Sequence, residues 1–470
     1  MSKPTNLAVE EFPVINEMLN TENLKCEMQK GLDAKSGNDL RISRCSLEQL
    51  SYKPGHYCRM LFKTRLEKDD GTFGLQQYSG ALKSDECPED KQIFEWSEEA
   101  EHELVEPRHG PKVIFLLKWN LMLWAFPNDP NLPGMAYMET QESLLGQMNE
   151  HPEDFGLPEN FQAASVSYKT KRYVPLMRFG ALVTVKSNAD EFSAPRQMYA
   201  KIYKEGSGAR AFETVRRLWM TQPVQEKKML TPEPYSFDAK HGILWSEAVI
   251  GKPLSKIANK LPDFPHYAGK IGKSLAAYHG SELKLSQSLP FPELVSELGA
   301  AFDAIVASFP EKRDNVARLR KLLLADPEKL QNGTTTPLHF SFKLSHVLLV
   351  GDDIVFIDFD GAKSGDPGYD IGRFSAHVYK MAIESKIDVV KANEAIRVFY
   401  EAYNQAAAKP LDYERIKWFT AFHLIASQAY KAVKRMNPKW LPQLFSTADE
   451  VGRQEAFAPV SGTASEAYRV

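Results

Sequence analysis

The sequence predicts an α+β fold in which a strand-rich first half gives way to a mainly helical second half. Up to about residue 250, short runs of alternating apolar and polar residues are separated by Gly, Pro and Asn turns, the period-two pattern of half-buried strands. Beyond about residue 265, apolar residues recur at three- and four-residue spacing over long stretches, the pattern of amphipathic helices. With 470 residues, 43% hydrophobic and 25% charged, the chain is ordinary for a globular protein and long enough for two or three cores.

A net charge of −3 supplies no global attraction to nucleic acid or to an anionic membrane surface. No apolar run approaches the roughly 20 residues needed to span a bilayer, and residues 1–12 are polar and acidic rather than signal-like. A cytoplasmic location, with neither nucleic acid nor membrane as partner, is the expectation. Cys26, Cys45, Cys58 and Cys87 show neither C-x-x-C spacing nor neighbouring His pairs, so reduced thiols are expected rather than disulfides or a zinc site.

Residues 1–165 read as an N-terminal α+β domain. Pro54-Gly55 punctuates a turn, and Tyr57 to Thr64 continues as a strand. The acidic run from Ser84 to Glu106 reads as a solvated loop or a helix with a polar face. Val113 to Phe126 fits a buried strand or a short helix, and Pro127 to Gly134 an irregular loop. Ser51-Tyr-Lys-Pro-Gly-His-Tyr57 before one strand is echoed 116 residues later by Ser167-Tyr-Lys-Thr-Lys-Arg-Tyr173, which raises the idea of an internal duplication.

Residues 166–250 read as a small β-rich lobe. Ala181 to Lys186 alternates as a strand, Arg196 to Tyr203 forms its partner, and Gly206 to Gly208 opens a helix from Ala209 to Met220. A strand from Gly242 to Ile250 leads into Gly251-Lys-Pro-Leu254. Residues 251–470 read as a helical lobe, with helices expected over 269–279, 291–308, 313–325, 370–385, 389–407 and 413–436, and with the last 20 or so residues loosely held.

The chemistry concentrates in three neighbouring stretches. They are His339-Phe-Ser341-Phe-Lys343-Leu-Ser-His346, then Ile357-Asp358-Phe359-Asp360, then Gly365-Asp366-Pro-Gly-Tyr-Asp370. This order and spacing resemble the catalytic segment of the aminoglycoside phosphotransferase and choline kinase-like family, H-G-D-x-x-x-x-N, then I-D-[FW]-[DEG], then G-D-P-x-x-D. Gly251-Lys-Pro-Leu254 similarly resembles the family's hinge. The resemblance covers roughly residues 170–380 and implies a bilobal protein kinase-like fold with an additional N-terminal domain. It also implies ATP, Mg²⁺ and a hydroxylated small-molecule acceptor. The chain departs from the pattern at three places: Phe340 replaces the Gly, Ser341 the catalytic Asp, and His346 the metal-binding Asn.

Phosphoryl transfer requires a Lys on the phosphates, an acid to hold it, a metal ligand and a group orienting the acceptor hydroxyl. On the kinase template Lys201 is the phosphate-binding Lys with Glu213 as its partner, and Glu247 on the following strand completes the nucleotide-side set. Read from the residues alone, Lys201 is an ordinary half-exposed strand lysine whose stem snorkels. Asp358 follows an apolar strand, where its carboxylate could meet Mg²⁺ or cap its own turn. Asp360 could assist, while Asp366 and Asp370 read as structural, with Asp370 capping the next helix. Ser341 is too weak a base to replace an aspartate. His346 is a poor magnesium ligand, so a different metal, one lost ion or a structural role all remain open. Lys343 could neutralise phosphate or face water.

Two functions fit these residues. One is an ATP- and Mg²⁺-dependent small-molecule phosphotransferase with an atypical catalytic loop. The other is a pseudokinase that binds or regulates, engaging a protein partner through residues 1–165.

Overall fold

The structure is a computed structural model that describes residues 4–36, 39–84, 104–189, 194–331 and 333–460. Most of the acidic run between Ser84 and Glu106 lies outside these residues. The chain forms two compact units. One comprises Met1–Phe212, Pro234–Ala248 and Lys434–Met436; the other comprises Glu213–Glu233, Val249–Val433 and Asn437–Val470.

The first unit holds two five-stranded antiparallel sheets. In the first, β1 (Leu40–Lys53), β2 (Tyr57–Lys68), β3 (Phe73–Lys83), β4 (Val113–Leu116) and β5 (Leu121–Ala125) lie in the order β1-β2-β3-β5-β4. The stretch from Val113 to Phe126 is therefore neither one strand nor a helix. It is a hairpin whose turn runs through Trp119 and Asn120, the latter left-handed at φ 46°, a conformation Asn tolerates better than most residues. The predicted turn at Pro54-Gly55 joins β1 to β2. Gly55 supplies the left-handed residue at φ 71°, and His56 N–H donates to Lys53 O at 3.1 Å.

The second sheet comprises β6 (Ala163–Val174), β7 (Arg178–Ser187), β8 (Arg196–Tyr203), β9 (Pro234–Asp238) and β10 (Ile243–Glu247), ordered β6-β7-β8-β10-β9. A helix, Gly208–Trp219, stands between β8 and β9. The alternation of β7 and β8 sends Val183, Val185, Ala200 and Ile202 to one buried face. There they join Trp245 of β10 and Leu144 and Met148 of the helix Gln141–Glu150. Ser167 to Tyr173 lies within β6 rather than ahead of a strand, so the sequence echo does not mark equivalent places at a spacing of 116.

The second unit is mainly helical. Asp263 caps the helix Phe264–His279 by accepting from His266 N–H at 3.1 Å. This helix packs on Val389–Ala406 so closely that a Cβ at Gly272 would lie 2.4 Å from Phe399 O. The helix predicted over 413–436 is interrupted: Tyr413–Phe422 and Tyr430–Lys434 are α-helical, and His423–Ala429 widens into a π-turn. Residues just after the last helix, Leu441–Arg453, are not loose, because Val460 exchanges two 2.9 Å hydrogen bonds with the buried Asn393 side chain. Residues 461–470 lie outside the described part.

Three short strands, β11 (Lys252–Pro253), β13 (Val347–Val350) and β14 (Asp353–Phe356), form one small sheet, and β12 (Thr336–Leu338) pairs with β15 (Lys363–Gly365). These pairings hold residues 339–346 and 357–362 side by side. No helix among the described residues is long and apolar enough to cross a membrane.

Candidate active site

The loop after β12 is fastened by a carboxylate. Asp370 is fully buried in the first turn of the helix Gly368–Ile383 and accepts from the backbone N–H of His339 at 2.6 Å and of Phe340 at 2.9 Å. Its Oδ2 also lies 3.2 Å from His279 Nε2, while His279 Nδ1 meets the Tyr403 hydroxyl at 2.9 Å. The capping role expected for Asp370 is therefore incorrect: its side chain turns back to the 339–341 loop, and Asp366 accepts from Gly368 N–H at 2.9 Å instead. Asp366 also pairs with the buried Arg415 guanidinium, and burial still pushes the Asp366 carboxyl upward against that attraction.

Phe340 adopts φ 65°, a left-handed conformation that a glycine reaches without steric cost. Two features hold the phenylalanine there: its N–H is taken by Asp370, and its ring stacks on Tyr369 with centroids 5.3 Å apart and planes 9° apart. Lys363 Nζ lies 4.6 Å from the same ring. The resemblance places a glycine here, and the backbone geometry of that glycine is retained although the residue is not.

The imidazole of the buried His339 lies with Nε2 2.9 Å from Ile357 O, tying the loop to the end of β14. Burial pulls its pKa down despite Asp370 and Asp358 nearby, so the ring is neutral, with Nε2 donating and Nδ1 an acceptor. Ser341 Oγ lies between this ring and that of His346, 3.4 Å from His339 Nδ1 and 3.3 Å from His346 Nδ1. The single turn Leu344–His346 presents His346, whose Nε2 approaches Asp358 Oδ2 at 3.1 Å. A carboxylate accepts, so Nε2 is the donor in this pair. A row of polar contacts thus runs from Ser341 through His346 to Asp358.

Asp358 sits just past β14 at φ 75°. Its carboxylate offers hard oxygen donors suited to Mg²⁺. Among the described residues no group of three or more His, Cys, Asp and Glu side chains is gathered around one point. A cation here would take its remaining ligands from phosphate oxygens and water, as Mg²⁺ commonly does. Asp360 is half-buried two residues on, and Lys343 is half-buried ahead of the turn that presents His346.

The residues expected on the nucleotide side lie elsewhere in the chain. Lys201 occupies the middle of β8, flanked by Gly180 on β7 and Leu244 on β10. Glu247 is exposed at the end of β10. Glu213 accepts from Arg216 Nε at 3.0 Å and Arg217 Nε at 2.6 Å on its own helix, which hold its carboxyl below the usual range. His279 and Tyr403 were missed as contributors to the loop. Their only sequence signal is a helix ending in Tyr-His, and Tyr403 lies far along the chain.

Residues 193–419 match the model of a phosphotransferase enzyme family, APH. No curated protein matches the chain. Solved structures similar to it include a choline kinase from Cryptosporidium parvum, at 14% identity over 66% of this chain and 94% of that one, with a TM-score of 0.44. An aminoglycoside phosphotransferase from Streptomyces rimosus shows 17% identity over 60% and 96%, with a TM-score of 0.36. A thermostable aminoglycoside phosphotransferase variant, solved with ADP and hygromycin B, shows 13% over 66% and 100%, with a TM-score of 0.41. The architecture is α+β: the β6–β10 sheet, with a helix inserted between β8 and β9, precedes a mainly helical unit.

Proposed function

With residues 193–419 carrying the phosphotransferase family pattern, we propose that the chain transfers the γ-phosphoryl group of ATP, with Mg²⁺, to a hydroxyl of a small molecule. The observation that carries this reading is the position of Asp358, an oxygen ligand at a strand end beside a loop rigidly fastened by Asp370. In the reaction the acceptor oxygen bonds to phosphorus, the bond from phosphorus to the departing ADP oxygen breaks, and the acceptor hydroxyl's proton passes to an oxygen of the transferred phosphoryl group and from there to water. Mg²⁺ would be held by Asp358, with Asp360 assisting, and would neutralise charge on the phosphates.

Lys201 binds phosphate in this reading, with Glu213 and Glu247 on the nucleotide side. Ser341 orients the acceptor hydroxyl, its own hydroxyl directed to an imidazole nitrogen, and Lys343 draws the phosphate. Replacing a carboxylate base by serine lowers the rate by roughly 10²–10⁴-fold where general-base help operates. The loose transition state still leaves transfer to positioning and charge.

The row from Ser341 to Asp358 also favours a second reading. A carboxylate already engaged by His346 suits a pseudokinase that binds a ligand or, through residues 1–165, a protein partner and leaves ATP intact. Both readings are met by calorimetry of ATP with and without Mg²⁺, followed by product analysis over a panel of sugars, aminoglycosides and amino alcohols. Magnesium-dependent binding that disappears in Asp358→Ala, with a phosphorylated product, supports the enzyme. Binding without product supports the pseudokinase. Absent binding in both native and variant protein removes the nucleotide from either reading.

A further inference from the structure

The two sheets of the first unit match in register at both ends of their first ladders, with a one-residue offset between. A shift of 121 residues carries the pairs Lys53–Tyr57 and Tyr52–Cys58 onto Val174–Arg178 and Tyr173–Phe179. The same shift carries the far end, Arg44–Arg65 and Ile42–Leu66, onto Ser165–Lys186 and Ala163–Ser187, with a bulge between these pairs in both sheets. A shift of 122 carries the hairpin closure Leu116–Leu121 onto Asp238–Ile243. Both sheets follow the same strand order. Register is set pair by pair and a one-residue slip would reverse every face, so agreement at both ends of one ladder and at the closure of a second hairpin is evidence of duplication.

The agreement extends to side chains. In the first sheet, Glu11 Oε2 accepts from the Tyr52 hydroxyl at 2.6 Å and from Gly55 N–H at 3.2 Å. In the second, Asp129 Oδ2 accepts from the Tyr173 hydroxyl at 2.9 Å and from Leu176 N–H at 2.8 Å. Tyr52 and Gly55 are carried onto Tyr173 and Leu176 by the same 121-residue shift. Each Tyr-x-Pro hairpin is therefore held by a carboxylate from the segment preceding its sheet.

Two differences separate the copies. With a shift of 121 from β2 to β7 and of 120 from β3 to β8, the cross-strand pair Arg59–Ala81 corresponds to Gly180–Lys201, so the first sheet has alanine where the second has the lysine assigned to phosphate. The second hairpin also carries bonds from the first copy. Gln49 Nε2 donates to Tyr173 O at 3.1 Å, the Tyr173 hydroxyl lies 2.9 Å from Ser79 Oγ, and Asn131 Nδ2, just past the first sheet, donates to Leu176 O at 3.1 Å. Leu176 stands left-handed at φ 60°, which costs a branched residue roughly 1–2 kcal/mol. Its N–H and C=O are both fixed by these neighbours.

We propose that the first sheet is a second copy of the small-lobe sheet that has lost its nucleotide lysine and now grips the β6–β7 hairpin, holding for nucleotide the loop that covers phosphates in the kinase template. The nucleotide part rests on the phosphotransferase reading; the grip does not. The residues named are positioning residues.

Tyr173→Phe and Gln49→Leu in the full chain test this, with amide exchange of residues 174–178 and ATP calorimetry as readouts. At an unchanged melting temperature, the hairpin amides should exchange about tenfold faster in each variant, as loss of one hydrogen bond implies. ATP affinity should fall about tenfold, in proportion to the competent fraction of the hairpin. Unaltered exchange in both variants overturns the grip. Faster exchange with unaltered ATP affinity overturns its role in holding the loop for nucleotide. Native protein should bind one ATP per chain, lost in Lys201→Ala, and two per chain overturns the loss of the first site. If native protein binds no ATP, the phosphotransferase reading and the nucleotide role fail together, and exchange alone decides the grip.

Discussion

Replacing Asp370 with asparagine removes a charge and one acceptor from a position that is fully buried. The carboxylate takes two backbone N–H groups, at 2.6 and 2.9 Å, and faces His279 Nε2 at 3.2 Å. A hydrogen bond to a charged group contributes about 1.5–3 kcal/mol, and a buried donor left unsatisfied costs about 1–3 kcal/mol. The amide keeps one oxygen and turns its NH₂ toward donors. At least one loop N–H therefore loses its partner, and the expected loss is about 3 kcal/mol; Asp370→Ala, which leaves every donor unpaired, should cost about 5 kcal/mol. With a urea slope near 3 kcal/mol per molar, the asparagine variant should move the unfolding midpoint by about 1 M. Urea titration together with amide exchange at His339 and Phe340 measures both effects. A midpoint shift below about 0.3 M, with unaltered exchange at those two amides, would refute the claim that Asp370 fastens the 339–341 loop.

Other perturbations give equally specific outcomes. Phe340→Gly should be less destabilising than Phe340→Ala by about 1 kcal/mol, because only glycine accepts φ 65° without penalty; equal denaturation midpoints would contradict this. Arg415→Met removes the partner of the buried Asp366 and should cost about 3–5 kcal/mol, measured by urea titration. Burial lowers the pKa values of His339, His377 and His423, so below about pH 6.5 the unfolded chain takes up protons that the folded chain refuses. Stability should therefore fall with decreasing pH, by up to about 1.4 kcal/mol per unit for each histidine. Denaturation at pH 6 and pH 5 should show His423→Gln relieving that slope, and an unaltered slope would exclude His423 as a source. The double variant Ser341→Asp/His346→Asn restores the family residues and should raise phosphotransfer by roughly 10²–10⁴-fold, read as product formed per unit time.

The site was partly legible because its chain segments are local. The stretch from His339 to Asp370 carries the family spacing, and the structure brings Ser341, His346 and Asp358 within hydrogen-bonding distance. The hairpin at Pro54-Gly55 and most helices were equally legible, since proline and glycine restrict the backbone locally and helical periodicity repeats every few residues. Three features were not. Val113 to Phe126 is apolar throughout, so periodicity could not reveal the hairpin within it. Asp370 was read as a cap because a cap is decided by neighbours in sequence, whereas its partners lie some 30 residues away. The sequence echo lies at a spacing of 116, whereas the ends of the first ladders match in register at 121.

By itself the sequence determined the change from strands to helices, the order of the motifs and the substitutions at Phe340, Ser341 and His346, because side-chain identity and local periodicity are written along the chain. Only the tertiary structure decided which imidazole nitrogen meets Asp358, that Phe340 keeps a glycine's backbone geometry, and that two sheets of dissimilar sequence share one register. Those outcomes depend on hydrogen bonds and packing between residues tens to more than a hundred positions apart, where each partner is chosen by the fold and not by its neighbours in the chain.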